Sequence, residues 1–378
     1  MSSAMDAAVS PKVWREWRDA LAILLAGAVL CLLLDALVFR TRFYTRILDP
    51  HTSTGSFEFA LSSEAAREYW ARPVLVVGNS IIVQGFSPRV ANWSQLARGY
   101  QFSSVAVPAT WERCWYYLLR DLDPERKRYS VIVVPVESYD DRDLHEEDFA
   151  DHIIDARFLA VRLKISDVPE FAASFRSLEG RLEATRLTLL KGLVYRNDLL
   201  AFLEHPRDRI AEVKSYRRYG DWETYLYDGL DRSLAGLSVD WNKGTISLPG
   251  WLPANEKQII KDYFLEPVPT QRGYLGEYRR RWLGRIVERY QGTGTRILIM
   301  RMPFNALPRR YAPGATGRSA VRELASRSGV YLLDEHEFDE FERPEFFYDL
   351  HHLNAAGRAR FTTKFARLFA EALREETR

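Results

Sequence analysis

The sequence predicts an α/β fold: a parallel five-stranded sheet in a three-layer α/β/α sandwich, preceded by an N-terminal transmembrane helix and interrupted by a helix-rich insertion. Three observations carry that prediction. Short, near-continuous apolar runs rich in Val and Ile suit strands buried on both faces. Amphipathic helical patterns alternate with those runs, the rhythm of strand–helix–strand units. One apolar stretch near the N-terminus has the length of a membrane crossing.

In chain order, residues 1–19 form a charged tail and residues 20–39, apolar except for Asp35, read as a membrane anchor. A secretory signal is the competing reading. Its apolar region is usually shorter, however, and no small-residue cleavage site precedes Arg40-Thr41-Arg42. Leu30-Cys31 also lacks the small residue that lipoprotein processing expects. Asp35 is costly at a bilayer centre but tolerable near an interface, facing a partner helix. Lys12, Arg15 and Arg18 before the stretch balance Arg40, Arg42 and Arg46 after it, so charge leaves the orientation open. Residues 40–70 carry turn formers, Asp49-Pro50 and Thr52-Ser53-Thr54-Gly55, and read as a connector.

The core is expected in two parts, residues 71–143 and 291–378. Its strands are read at 74–77, 102–107, 131–134, 296–300 and 330–333, with helices at 110–122, 274–290, 319–328 and 355–375. Residues 144–290, between the third and fourth strands, form the insertion. It holds a charged amphipathic helix over 168–203 and a Trp- and Gly-rich stretch over 236–251, which suits a lid or a partner-binding element.

Composition narrows the function classes. The 378 residues are 47% hydrophobic, enough for a sizeable core. Fifty-three Lys and Arg against 51 Asp and Glu leave a charge of +2 with the signs interspersed, so no field is present to gather nucleic acid. Cys31 and Cys114 do not suggest a disulfide framework, and no His/Cys/Asp/Glu cluster has metal-ligand spacing. No cofactor is implied.

Two motifs carry chemistry. Gly78-Asn79-Ser80 follows the first strand, where ligands collect beyond the carboxyl edge of a parallel sheet. Asp349 and His352 are three residues apart in the run Asp349-Leu350-His351-His352-Leu353-Asn354-Ala355-Ala356-Gly357, so their side chains share one side of a turn. Each motif has an ordinary reading: Ser80 as a helix N-cap, and Asp349 or Asn354 as the cap of the last helix. Together, in this order on this scaffold, they supply a nucleophile, a base and an orienting carboxylate.

On these residues the chain resembles the SGNH/GDSL hydrolase superfamily, a flavodoxin-like architecture. The resemblance covers roughly residues 71–143 and 291–370 and leaves the insertion unassigned. It implies Ser80 as nucleophile, His352 as general base and acid, and Asp349 as the residue that orients it. It also implies an oxyanion hole from Ser80, Ala109 and Ser138. Three departures stand out. Asn79 replaces the usual Asp, Ala109 stands where the second block has Gly, and Glu137-Ser138 stands where the third block has Asn. A carboxylate aimed at an oxyanion opposes the reaction, so Glu137 is read as a substrate or Arg contact. Asn79, Arg301 and Asn305 are further substrate-binding candidates, with a structural loop as the simpler reading of Arg301-Met302-Pro303-Phe304-Asn305. Trp111, Trp115, Tyr116 and Tyr117 read as core, or as a sugar-stacking platform; Trp241 and Trp251 are equally ambiguous.

An anchor ahead of such a domain is similar to accessory proteins of bacterial cell-surface polymer modification, including alginate O-acetylation proteins and the D-alanyl transfer protein of teichoic acid synthesis. The resemblance implies a single-pass protein of the bacterial cytoplasmic membrane with its domain outside. It implies a cell-envelope polysaccharide as substrate and a multi-spanning membrane O-acyltransferase as partner. Three activities follow in order: serine O-acyl, chiefly acetyl, transfer or ester hydrolysis; a catalytically weak scaffold or polysaccharide binder; and a lipid esterase or thioesterase.

Overall fold

The computed structural model describes residues 11–94, 96–141, 152–219, 232–265, 274–305 and 319–374. Parts of the expected tail (1–10), of the insertion (144–151, 220–231, 266–273) and of the second core part (306–318 and 375–378) lie outside the described residues.

The strands are β1 (Arg72–Gly78), β2 (Tyr100–Ala106), β3 (Val131–Val136), β4 (Ser238–Asp240), β5 (Thr245–Ser247), β6 (Arg296–Arg301) and β7 (Val330–Leu332). Five of them form one all-parallel sheet in the order β2-β1-β3-β6-β7, and each matches an expected strand to within a few residues. Strand β1 is central, with Val74 opposite Phe102 of β2 on one side and Val131 of β3 on the other.

Helices α1 (Pro11–Leu34), α2 (Arg42–Thr45) and α3 (Ser53–Ala65) precede the sheet; α4 (Ser80–Gly85), α5 (Pro88–Trp93) and α6 (Glu112–Leu122) follow its first strands. Between β3 and β6 run α7 (Ile154–Leu159), α8 (Val168–Ala172), α9 (Leu178–Leu189), α10 (Lys191–Glu204), α11 (Pro206–Tyr219), α12 (Ala254–Leu265) and α13 (Leu275–Tyr290); α14 (Ala320–Ala325) and α15 (Ala355–Arg374) complete the chain.

Successive strand residues point to opposite faces, and each face has its own core. Leu75, Val77, Ile132, Val134, Ile297 and Ile299 pack with Trp115 and Leu119 of α6 and Trp282 and Ile286 of α13. Val74, Val76, Val133, Leu298 and Met300 pack with Ile82 of α4 and Phe361, Phe365 and Phe369 of α15. The short antiparallel pair β4–β5, from the Trp- and Gly-rich stretch, lays Val239, Trp241 and Ile246 on the second core.

Two stretches differ from expectation. Residues 40–70 are not a bare connector, because α3 buries Phe57, Ala60 and Leu61 in the first core. Its Glu64 is also buried, accepting hydrogen bonds from Tyr129 at 2.9 Å and from Arg67 at 3.0 Å. The expected helix over 168–203 is broken into α8, α9 and α10. Ser177 caps α9 by accepting from the Gly180 N–H at 3.0 Å, and the chain turns again at Leu190.

Trp14–Phe39, 26 residues, is a helix long and apolar enough to cross a membrane, with almost all of its side chains exposed. Its last turn, Asp35–Phe39, is π-helical and docks on the start of α10. Asp35 pairs with Arg40 at 3.0 Å and accepts from the Gly192 N–H at 2.7 Å, while Arg40 donates to the carbonyls of Thr188 (2.9 Å) and Leu189 (2.7 Å). The partner helix expected for Asp35 therefore belongs to the same chain.

Candidate active site

Because β1 pairs with β2 on one side and β3 on the other, consecutive crossovers leave in opposite directions between β1 and β3, where a parallel sheet opens a crevice. Ser80 follows β1 and Glu137 follows β3, so both stand at that crevice. The Gly78 turn is tight: a Cβ there would lie 2.4 Å from Ile82 Cγ1, so glycine lets α4 fold back against its own strand. Gly78→Ala is expected to cost about 1–3 kcal/mol by overpacking and to lower activity by displacing Ser80; urea unfolding and rate measurements on one preparation check both.

Ser80 does not cap α4. Asn79 does, its Oδ1 accepting the Ile81 N–H at 3.0 Å, and Ser80 is the first helical residue. The hydroxyl is thus released from capping, and His352 Nε2 lies 2.9 Å from Ser80 Oγ. On the other side of the ring, His352 Nδ1 lies 2.8 Å from one Asp349 oxygen and 3.0 Å from the other. Asp349 also accepts the N–H groups of His351 (2.9 Å) and His352 (2.8 Å), which fixes the carboxylate before it meets the ring. Asn354, rather than Asp349, caps α15, accepting from Gly357 N–H at 2.9 Å. Both ordinary capping roles are filled by asparagines, and neither accounts for Ser80 or Asp349.

Burial alone would raise the Asp349 pKa. The His352 ring and the two backbone N–H groups outweigh it and hold the carboxyl below the usual range. Stability from Asp349 is therefore present above the unfolded carboxyl value of about 3.9 and is lost as pH falls through the lower folded value. An Nδ1–H donated to Asp349 leaves Nε2 as the acceptor for Ser80's proton. Asp349→Asn is expected to reverse that tautomer and cut kcat about ten-thousandfold with little change in KM. Steady-state kinetics at pH 7 is the check.

The loop holding His352 is braced from two sides. Phe347 bridges Leu353, and the Tyr348 N–H donates to the His352 carbonyl at 2.8 Å. From the insertion, Leu234 N–H donates to the Phe347 carbonyl at 3.0 Å, Arg232 donates to the Tyr348 hydroxyl at 2.9 Å, and Arg232 O accepts from Asn354 at 3.2 Å. Arg232 also stacks over Trp251, 5.5 Å from the ring centroid. Sequence reasoning did not connect residues 232–237 to the site, since no motif announces a brace made largely of backbone.

The turn over residues 107–110 is tied to the Ser80 turn through one carbonyl. Gly78 O accepts the Val107 N–H at 3.0 Å and the Thr110 hydroxyl at 3.2 Å. Ala109 within it has φ 59°, the left-handed backbone that favours glycine. On the β3 side, Arg279 donates to the carbonyls of Ser138 (2.8 Å) and Asp140 (3.0 Å), and Ser138 Oγ accepts the Asp140 N–H at 3.1 Å. A small cavity lies between these turns, lined by Asn79, Trp111, Glu112, Glu137 and Arg279. Glu112, buried 3.6 Å from Arg279, has its pKa raised by burial, which outweighs the guanidinium. Glu137 meets an arginine-bearing cavity, not an open solvent face.

The remaining candidates separate. Arg301 donates to Glu335 O at 2.7 Å and pairs with Glu342 and Asp339, so its guanidinium is committed to the protein. Asn305 is 5% exposed, and neither of its amide atoms has a hydrogen-bond partner among the described residues. Trp115 and Tyr117 are core, Tyr116 packs against that core, and of the four Trp111 and Trp115 reach the cavity.

No family model and no curated protein matches the chain. The functional reading therefore stands on this geometry and on the motifs.

Proposed function

We propose that the chain is a membrane-tethered serine O-acyltransferase or esterase of the SGNH type, built as a three-layer sandwich and acting on acetyl esters of a cell-envelope polysaccharide. The observation that carries the reading is the continuous Ser80–His352–Asp349 relay at the crevice of a parallel sheet. Ser80 Oγ attacks the ester carbonyl while His352 Nε2 takes its proton. The tetrahedral oxyanion is met by N–H groups of the Ser80 and Ala109 turns, with Ser138 as a third donor. Collapse expels the alcohol, which receives the proton from His352, and leaves acetyl on Ser80. A sugar hydroxyl or water then gives its proton to His352 and takes the acetyl group, and His352 returns that proton to the departing Ser80 Oγ.

Tethering is supported by the Trp14–Phe39 helix, with exposed Trp14 and Trp17 at its N-terminal end and exposed Phe43 just past the other, as at membrane interfaces. The resemblance to polymer-modifying accessory proteins supports a domain outside a bacterial cytoplasmic membrane, beside a multi-spanning O-acyltransferase.

A second reading, a weak catalyst kept as a scaffold or polysaccharide binder, is favoured by the third block, where Glu137-Ser138 replaces an Asn donor. Losing one such donor costs about a hundredfold or more in rate. The test compares acetate release from O-acetylated polysaccharide with hydrolysis of long-chain esters by the full chain. Preference for acetylated sugar supports the proposal, preference for long chains makes it a lipid esterase or thioesterase, and no turnover of either supports the scaffold.

A further inference from the structure

Helices α9 and α10 are apolar on two sides. One side of α9 buries Ala184, Leu187 and Thr188 against the domain, yet Leu178 (72% exposed), Leu182 (63%) and Leu189 project elsewhere. On α10, Tyr195 is buried while Leu193, Leu200 (50%) and Leu203 (63%) are exposed. A surface helix normally turns charge to solvent, and a contiguous leucine face marks an interaction surface.

What covers this face follows from where it lies. The last turn of the membrane helix is fixed to the α9–α10 junction. Arg40 holds the carbonyls of Thr188 and Leu189, Asp35 holds the Gly192 N–H, and Phe39 stacks on Tyr195 with centroids 5.4 Å apart. The contact is close, for a Cβ at Gly192 would lie 2.9 Å from the Phe39 ring. Leu189 and Leu193 thus flank the point where the anchor leaves the domain. A bilayer crossed by that anchor has its surface at the same point, and the leucines are continuous with it.

We propose that the outer faces of α9 and α10 lie in the membrane interface as an amphipathic platform, burying Leu182, Leu189, Leu193 and Leu200 among lipid head groups and upper acyl chains. This rests on the reading of Trp14–Phe39 as a membrane anchor. Arg196, exposed on α10, suits that depth, since its stem can lie along apolar surface while its charge reaches phosphates. The platform and the braced π-turn together hold the domain at one angle to the bilayer.

The test uses the full chain in lipid nanodiscs with an environment-sensitive fluorophore on single cysteines and nitroxide-bearing lipids as quencher. Cys114 is fully buried, so Cys31 in the anchor is the native labelling site. In a Cys31→Ser background, Leu193→Cys and Leu200→Cys carry the label on the platform and Lys243→Cys carries it on the exposed β4–β5 turn. The proposal expects lipid quenching at both leucine positions several-fold above that at position 243. Strong quenching at Cys31 with none at positions 193 and 200 overturns it, whether the label then reports water or contact with another protein. Absence of quenching at Cys31 itself removes the anchor reading, and the platform with it.

Discussion

Ser80→Ala is expected to lower ester turnover by roughly ten-thousandfold to a millionfold, because a triad works as a unit and loses most of its effect with its nucleophile. The same change should leave stability within about 0.5 kcal/mol, the usual range for a substitution that removes no cap, core contact or buried partner. The geometry supports that split. The Ser80 hydroxyl meets His352, while the capping of α4 is done by Asn79. Asn79→Ala is the counterpart: it loses a cap, at about 1 kcal/mol, and keeps the nucleophile. Equal turnover by wild type and Ser80→Ala would remove Ser80 from the chemistry and contradict the triad reading.

The second large effect concerns stability. Arg113 of α6 and Asp155 of α7 are both 0% exposed and lie 2.6 Å apart. Arg113 also donates to Ser174 at 3.0 Å and to the His152 carbonyl at 3.1 Å, and stacks over Phe175 at 4.0 Å. Every one of those partners belongs to the insertion, so this arginine staples the insertion to the sheet's first core. Asp155→Ala leaves the guanidinium buried without its counter-charge and is expected to cost about 3–5 kcal/mol in chemical denaturation. Replacing both residues by apolar side chains of similar volume should recover much of the loss. Burial raises the Asp155 carboxyl, but Arg113 and His152 more than offset it and hold the value low. The contribution is therefore present above about pH 4 and is lost as pH falls through the folded value, and Asp155→Ala should flatten the acid limb of stability against pH.

The strands were legible because parallel strands buried on both faces need continuous apolar runs, which few other segments show. Ser80, His352 and Asp349 stood out because the triad reading asks for particular residue types, and the fold brings these three within hydrogen-bond distance. Helix α3 was overlooked behind its turn-forming start, although Phe57, Ala60, Leu61 and Glu64 already had helical spacing; Thr52 proves to be the cap, accepting from Gly55 at 3.1 Å. The break at Ser177 was marked by a capping residue that the charged pattern masked. The brace on the His352 loop and the docking of Asp35 on Gly192 join residues more than a hundred positions apart through backbone groups. No side-chain pattern encodes such pairs, so only the folded chain reveals them.

The central claim is that Ser80 is an activated nucleophile. Labelling the full chain with a fluorophosphonate and mapping the adduct by peptide mass spectrometry tests it most directly. The account predicts one adduct, on Ser80, slowed by Asp349→Asn and absent in Ser80→Ala. An unmodified wild-type chain, or an adduct that persists in Ser80→Ala, would contradict it.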